Sequence, residues 1–317
     1  MPKVMFQQLS QLSKLVRIKL LTLVIGIVFF TISFAEESTV THGHKAIKIL
    51  TYNVKMHDQS ALGQMADTLK MNAPAAIRAK HLLKQLKTQN IDVIGLQEVT
   101  PSLLKTLLSQ PWVKDYHVVH SLTERQLDAS YILMEPYGQV IMSRFPVTYS
   151  ESKSLKKTRL NRKLLLAQLT IHGTAVTFAN IHLESFPEDG SIRAIQLQQV
   201  FKETNRFENA VVLGDFNFDN NQQPESSFLP ESFSDPWVMI NPKDKGATYS
   251  YSTKNGKRLD RVLINSKPWK PRDITLLTEN NFEYNNEQQS LSDHLAVMIA
   301  LVPKKAFIQN EECLSSC

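Results

Sequence analysis

The feature that most constrains this sequence is a repeated one. Short apolar, β-prone runs begin or end on polar side chains capable of chemistry. Asn53 closes the run 47–53. Gln97-Glu98 closes 91–97, and His182 lies near the end of 175–183 with Asn180 on its face, because side chains alternate along a strand. Asp215 and Asn217 follow 211–214 and point the same way if the chain stays extended. Asp260 enters the run 259–265, and Asp293-His294 precedes 295–302. Many buried strands with functional groups at their ends describe a rigid sheet scaffold that displays a site. Each residue alone has a plainer reading. A carboxylate after a strand caps a turn, a lone His is a surface or satisfied core residue, and Gly214-Asp215-Phe216-Asn217 is a turn. Their joint occurrence is the signal.

Between these strands lie helical segments. Ala75, Ala79, Leu82, Leu83 and Leu86 recur at helical spacing and predict a helix over 75–88. Pro101 near its start predicts a short helix over 101–109, and a further helix is expected over 191–204. Residues 139–143, 147–152 and 164–171 read as strands, and 219–247 as a long loop region. Hydrophobic residues at 42% and charged residues at 21% exclude a disordered chain. Strands with few helices between them predict a mixed α/β or α+β domain with sheet-on-sheet packing.

Net charge adds little. The chain carries 36 basic and 30 acidic residues. Lys3, Lys14, Arg17 and Lys19 lie in residues 1–35, which hold no acid, so the remainder is nearly balanced. No general affinity for nucleic acid or anionic membrane follows from that. Lys14, Arg17 and Lys19 precede an apolar run from 20 to 34, and Ser33-Phe34-Ala35 offers small residues for cleavage. This is the pattern of a secretory signal peptide, and the run is shorter than the ~18 residues of a spanning helix. Residues 1–35 are read as a signal peptide or, alternatively, an uncleaved N-terminal anchor. Both readings export the rest to a periplasmic or secreted location. Residues 36–46 read as a linker, 47–303 as one domain and 304–317 as a tail. Cys313 and Cys317, the two cysteines, lie in that tail and rule out a Cys-rich metal framework.

The polar set favours one chemistry. Carboxylates and an amide oxygen suit Mg²⁺, or Mn²⁺, as hard oxygen-seeking cations. Two histidines and amide donors suit an anionic centre such as phosphate. The sequence has no HExxH or Cys/His cluster for zinc, no Walker loop and no GxSxG elbow. Metal-assisted hydrolysis of a phosphate ester by water remains.

The ordered set resembles the endonuclease/exonuclease/phosphatase superfamily. The matching segments are Leu50-Thr51-Tyr52-Asn53-Val54, Asp92-Val93-Ile94-Gly95-Leu96-Gln97-Glu98-Val99 and Asn180-Ile181-His182-Leu183-Glu184-Ser185. They continue with Gly214-Asp215-Phe216-Asn217, Leu259-Asp260-Arg261-Val262 and Ser292-Asp293-His294. Within it, His182-Leu183-Glu184-Ser185, the Arg162–Leu166 strand start, Asp235-Pro236-Trp237 and Thr248-Tyr249 are most similar to the tyrosyl-DNA phosphodiesterases of the second type. Asn217 is followed here by Phe218-Asp219, where that group carries Leu-Arg-Asp.

The resemblance implies an α+β, DNase-I-like four-layer sandwich of two packed sheets flanked by helices. It implies that Glu98, helped by Asn53, holds Mg²⁺, with Asp293 near the metal directly or through water. Asp215 would orient and deprotonate the attacking water, and Asn217 would position it or the phosphate. His294 would stabilise developing charge with Asp260 fixing its ring, and His182 would contact a non-bridging oxygen. The expected substrate is a phosphodiester, nucleic acid or a 5′-tyrosyl-DNA-like adduct, acted on by a monomer. A phospholipid, as for sphingomyelinases, and an inositol phosphate are the alternatives, and an inactive binding module is the alternative of another class. Membrane contact is expected only through an uncleaved leader or a lipid substrate. For a lipid, Trp237 or the region around Trp269 is the candidate apolar contact. Lys153, Lys156, Lys157, Arg159, Arg162 and Lys163 read as a solvated hairpin tip or as a phosphate-tracking stretch. Tyr249, Tyr251 and Trp237 read as core packing or as base-stacking surfaces, and His57-Asp58 as a loop pair.

Overall fold

In chain order the first elements are β1 (Ile47–Asn53), α1 (Ala75–Gln89), β2 (Val93–Val99), α2 (Pro101–Leu108), β3 (His117–His120), α3 (Glu124–Asp128) and β4 (Gly138–Ser143). There follow β5 (Val147–Ser154), β6 (Lys163–Ile171), β7 (Thr174–His182), α4 (Gly190–Thr204), β8 (Ala210–Asp215) and α5 (Pro236–Ile240). The last are β9 (Asp260–Asn265), β10 (Trp269–Leu277), β11 (Asn281–Tyr284), β12 (Glu287–Ser290) and β13 (Ala296–Pro303). The structure is a computed structural model that describes residues 46–56, 75–128, 135–250 and 254–304. The leader, His57, Asp58, Tyr251 and both cysteines lie outside these residues. Among the described residues no helix is long and apolar enough to cross a membrane.

Of the two large sheets one runs β10-β13-β1-β2-β4-β3 and the other β5-β6-β7-β8-β9, while β11 and β12 form a separate hairpin. Their inner faces meet through Ile47, Ile49, Val93 and Ile141 on one side and Leu165, Ala167, Phe178, Val211, Leu213 and Val262 on the other. The outer face of the first sheet is covered by α1 and α2. Leu82, Leu83 and Leu86 recur at helical spacing and pack with Leu103, Leu104 and Leu107 onto Leu50, Ile94 and Leu96. The outer face of the second takes Leu197, Val200 and Phe201 of α4 against Leu164, Leu166 and Ile181. Two sheets between helices are the expected four layers. Each fully buried Leu or Phe contributes roughly 1.5–3 kcal/mol.

Polar groups also cross between the sheets. Asn180 Nδ2 donates to the carbonyls of Leu96 and Val140, both at 2.9 Å, and its Oδ1 accepts from Gln97 Nε2 at 2.7 Å. Gln97 reaches Thr51 Oγ1 at 3.0 Å as well. Asn180 and Gln97 thus tie β7 to β2 and β4 and fix how the two sheets stack.

The predicted strands and helices are present with ends shifted by one to two residues, β2 starting at Val93 rather than 91. Four strands were not legible. β3 is a four-residue edge strand, and β10 is an edge strand interrupted by Pro271 and Arg272, with a bulge between Pro271 and Asp273. The β11–β12 hairpin is nearly all polar. The 219–247 loop region contains α5 and a 3₁₀ turn, Glu225–Phe228. Trp237 and Trp269 are only 4% and 5% exposed, so neither is a membrane contact or a stacking surface. Trp237 packs in the core and donates its Nε1–H to the Asp244 carbonyl at 2.9 Å.

Candidate active site

Register explains why the polar residues converge. His182, Asp215 and Asp260 stand side by side on β7, β8 and β9, since His182 pairs with Asp215 and Asp215 with Asp260. Alternation places all three on the face that carries Phe178, Leu213 and Val262 into the core. The site is therefore the outer end of the inter-sheet layer. Asn53 ends β1 on the opposite sheet by the same alternation from Ile47 and Ile49. Glu98 needs a special device. Alternation from Val93 would aim it at the α1 side, but the β2–β4 register shifts between Leu96 and Val99, and Glu98 adopts φ 58°. The bulge turns its carboxylate into the site.

Asp215 is the hub. Its Oδ2 accepts from Asn53 Nδ2 at 3.0 Å and lies 3.5 Å from His182 Nε2 and 3.8 Å from His294 Nε2. Asn53 Nδ2 also donates to Glu98 Oε1 at 3.1 Å, so one amide orients two carboxylates. The Asn53 oxygen accepts from Lys55 N at 3.1 Å. Behind the hub, His294 Nδ1 lies 2.7 Å from Asp260 Oδ2, and Asp260 is fully buried. Asp260 is steadied by its own N–H, which donates to Thr248 Oγ1 at 3.1 Å.

The condition placed on Asn217 is not met. The chain does not stay extended, because Gly214 takes φ 137° and Asn217 φ 55°. A Cβ at Gly214 would stand 2.0 Å from the Ile181 carbonyl, which only glycine permits. Asn217 N turns back to donate to Asp215 Oδ1 at 2.9 Å, while its Nδ2 donates to the Leu183 carbonyl at 3.0 Å.

A cavity of about 420 Å³ is lined by Asn53, Glu98, His182, Asp215, Asn217, Asp293 and His294. Seven of the eight predicted site residues thus share one cavity. Asp260 sits behind His294 as its partner. Asp293 is half-exposed and pairs with Lys55 Nζ at 2.9 Å. Tyr249 lines the cavity with its ring 5.1 Å from that of His294, and Lys257 stands exposed at the same wall.

The charges are strongly perturbed. Burial pushes the Glu98 carboxyl up to about 7, against the pull of Asn53 and Arg162. Burial also raises Asp215, opposed by His294 and reinforced by Asp260. Burial draws His294 down, but Asp260 and Asp215 outweigh it and hold the ring protonated well above its ordinary value. Burial, Arg162 and His294 together keep His182 well below its ordinary value, hence neutral.

Asp215, Asp260 and His294 bring ligand-type atoms within 4.8 Å of one another. The short His294–Asp260 bond commits those two to each other, and Asp215 stands 3.8 Å from His294 Nε2 as a charge partner, so the trio is a charge relay rather than a metal cage. The oxygen donors of Glu98 and Asp293 fit a hard divalent cation better. Glu98 supports that fit, since a carboxyl pushed to about 7 lacks the positive charge its anion needs.

The basic stretch divides. Lys156 and Lys157 are exposed on the tip, Lys153 bridges Glu151 and Glu203, and Arg159 meets Asp189 at 2.8 Å. Arg162 does not belong to the tip. It is 4% exposed, with NH1 2.8 Å from His182 Nδ1 and NH2 donating to Ser185 Oγ at 3.2 Å. Sequence reasoning missed it because a cation within a basic run reads as solvated. Its place at the start of β6, opposite the end of β7, was the available signal. Glu184 anchors the tip, its Oε1 accepting from Thr158 Oγ1 and Arg159 N, both at 2.7 Å. Asp235 is structural, capping α5 and pairing with Arg258 at 2.6 Å.

Known proteins resemble this chain in sequence and fold. Tyrosyl-DNA phosphodiesterase 2 of Danio rerio is 26% identical over 220 residues, 65% of this chain and 55% of the relative. The Homo sapiens protein of that name is 24% identical over 227 residues, 71% and 56% of the two chains. The chain spans about half the length of these curated relatives. Among solved structures, D. rerio TDP2 complexed with single strand DNA product has a TM-score of 0.63 at 23% identity, covering 81% of this chain and 99% of the other. A Bacteroides thetaiotaomicron mannosyl-6-phosphatase has a TM-score of 0.62 at 18% identity, with 81% and 99% covered. These likenesses establish the fold. The family model described as Endonuclease/Exonuclease/phosphatase matches residues 50–294, from within β1 to the last histidine of the site. A match of that extent, over this fold, makes the chain a member of the endonuclease/exonuclease/phosphatase family.

Proposed function

We propose that this chain is an exported, Mg²⁺-dependent phosphodiesterase that acts as a monomer on nucleic acid or a 5′-tyrosyl-DNA-like adduct. The observation that carries the reading is Asp215, a buried carboxylate held by Asn53 and flanked by two histidines in opposite protonation states. Asp215 is aimed into the cavity and its pKa is raised, which suits a group that takes a proton from water. Asn217 steadies the Asp215 carboxylate and stands beside it. The protonated His294, backed by Asp260, faces the charge that grows on the phosphoryl oxygens, and His182 offers an N–H to a non-bridging oxygen. Glu98 and Asp293 would hold the metal, which when bound polarises the phosphate and neutralises charge on the leaving oxygen. Water attacks phosphorus as Asp215 accepts its proton, and the leaving oxygen departs with the electron pair of the broken P–O bond. The names of the curated relatives support the tyrosyl-DNA substrate. The leader pattern supports export.

The test is Mg²⁺-dependent release of tyrosine from a 5′-phosphotyrosyl oligonucleotide by the purified protein. Release that disappears in Asp215→Asn and in His294→Ala, with both variants folded, is the expected result. Activity retained in either variant would overturn the site. No release with hydrolysis of plain DNA or RNA would remove the tyrosyl adduct and keep nucleic acid as substrate, whereas hydrolysis of sphingomyelin alone would overturn the substrate and keep the chemistry.

A further inference from the structure

Arg162 is the one cation of the 153–163 run that the fold removes from water. It is spent on a histidine rather than on a carboxylate. We propose that Arg162 is a positioning residue that locks His182 in its Nε2–H tautomer, so that His182 gives the phosphate a hydrogen bond but has no proton to pass to the leaving group.

The argument is one of donor counting. A guanidinium has five N–H donors, no acceptor, and does not lose its proton in proteins. With NH1 2.8 Å from His182 Nδ1, only the histidine nitrogen can accept, so Nδ1 must carry the lone pair. A neutral imidazole with a bare Nδ1 carries its proton on Nε2. That nitrogen faces the site, 3.5 Å from Asp215 Oδ2 and 3.9 Å from Glu98 Oε1.

The guanidinium is held in place from several sides. NH2 donates to Ser185 Oγ, and the Arg162 backbone N–H donates to Thr158 Oγ1 at 2.6 Å, itself bound to the buried Glu184. The Tyr137 ring lies 5.5 Å from the guanidinium carbon and 6.3 Å from the His182 ring, covering the contact. Nε of Arg162 is already buried without a hydrogen-bond partner, so releasing NH1 from His182 would leave a second orphaned donor.

The consequence divides labour between the two histidines. His294, bonded through Nδ1 to a carboxylate, carries positive charge. His182, bonded through Nδ1 to a cation, stays a neutral donor. The departing oxygen, which keeps the P–O electron pair, then takes its proton from water rather than from His182. This consequence rests on the phosphoester reading above, whereas the tautomer itself does not.

The test is ¹⁵N NMR of the full-length, metal-free protein labelled at histidine, with the His182 signals assigned through His182→Gln. A bare Nδ1 and a protonated Nε2 are expected in the wild type and in Arg162→Lys, since lysine also only donates. In Arg162→Gln the side-chain oxygen can accept, so an Nδ1–H form should appear, and kcat should fall about tenfold or more while Arg162→Lys recovers part of it. A protonated Nδ1 in the wild type, or an Arg162→Gln spectrum unchanged from the wild type, would overturn the proposal. If Arg162→Gln does not fold, the wild-type and Arg162→Lys spectra still decide, because a protonated Nδ1 in either is contrary. The spectra need neither metal nor turnover, so failure of the phosphoester reading leaves this result separately readable.

Discussion

Asp260→Asn tests the relay behind the site most directly. Asp260 is fully buried, accepts from His294 Nδ1 at 2.7 Å through Oδ2, and leaves Oδ1 without a hydrogen-bond partner. An asparagine whose oxygen accepts from His294 must place its NH₂ where Oδ1 now stands unpartnered. The variant therefore loses a charge-assisted bond, about 1.5–3 kcal/mol, and buries an unsatisfied donor, about 1–3 kcal/mol. The first loss bears on turnover, because His294 no longer keeps its charge. At 1.36 kcal/mol per tenfold, that is a fall of roughly 10- to 150-fold in kcat. The pH dependence has a definite sign. His294 is held protonated above its ordinary value, so its contribution to stability is complete below the unfolded value of about 6.5 and fades as pH rises through the raised folded value. Urea denaturation of both proteins should show the widest stability gap near pH 6 and a narrower one at high pH. A gap that is the same at both ends, or a kcat loss below about threefold with the fold intact, would refute the relay.

Further outcomes follow from the positions of Glu98 and Asn180. Because burial raises Glu98 to about 7, metal binding must expel a proton below that pH, and Mg²⁺ affinity measured by calorimetry should fall about tenfold per pH unit there. The metal-free protein should lose stability as pH rises through about 7, and Glu98→Gln should gain roughly 1–3 kcal/mol at pH 8 while losing metal binding. A flat affinity profile, or no gain in the variant, would contradict this. Asn180→Leu removes a group bonded to the Leu96 and Val140 carbonyls and to Gln97. It should cost about 2–4 kcal/mol in denaturant melts, and a neutral result would show that these bonds do not hold the sheets.

Much of the fold was legible because it depends on local periodicity. The apolar, β-prone runs of β1, β6, β7 and β8 and the helical spacing of α1 appear in the chain itself. β10 and the β11–β12 hairpin were hidden because edge strands carry Pro, Arg and polar residues that erase the alternation. Trp237 and Trp269 show that exposure could not be read from residue type, since each is buried by elements distant in sequence.

What the chain pointed to alone was which polar residues gather at the candidate site, Arg162 excepted. Asn53, Glu98, His182, Asp215, Asn217, Asp260, Asp293 and His294 each sit at or beside the end of a recognisable run, and strand geometry carries such groups to one end of a sandwich. What only tertiary structure decided was their states. The register of β7, β8 and β9 set Asp215 beside Asp260 and His182. A bulge turned Glu98 inward, and Asn217 folded back instead of extending. Above all, His294 met a carboxylate and His182 met Arg162, which left one ring charged and the other neutral. Protonation depends on neighbours a few ångströms away, and those neighbours are 20 or more residues distant along the chain.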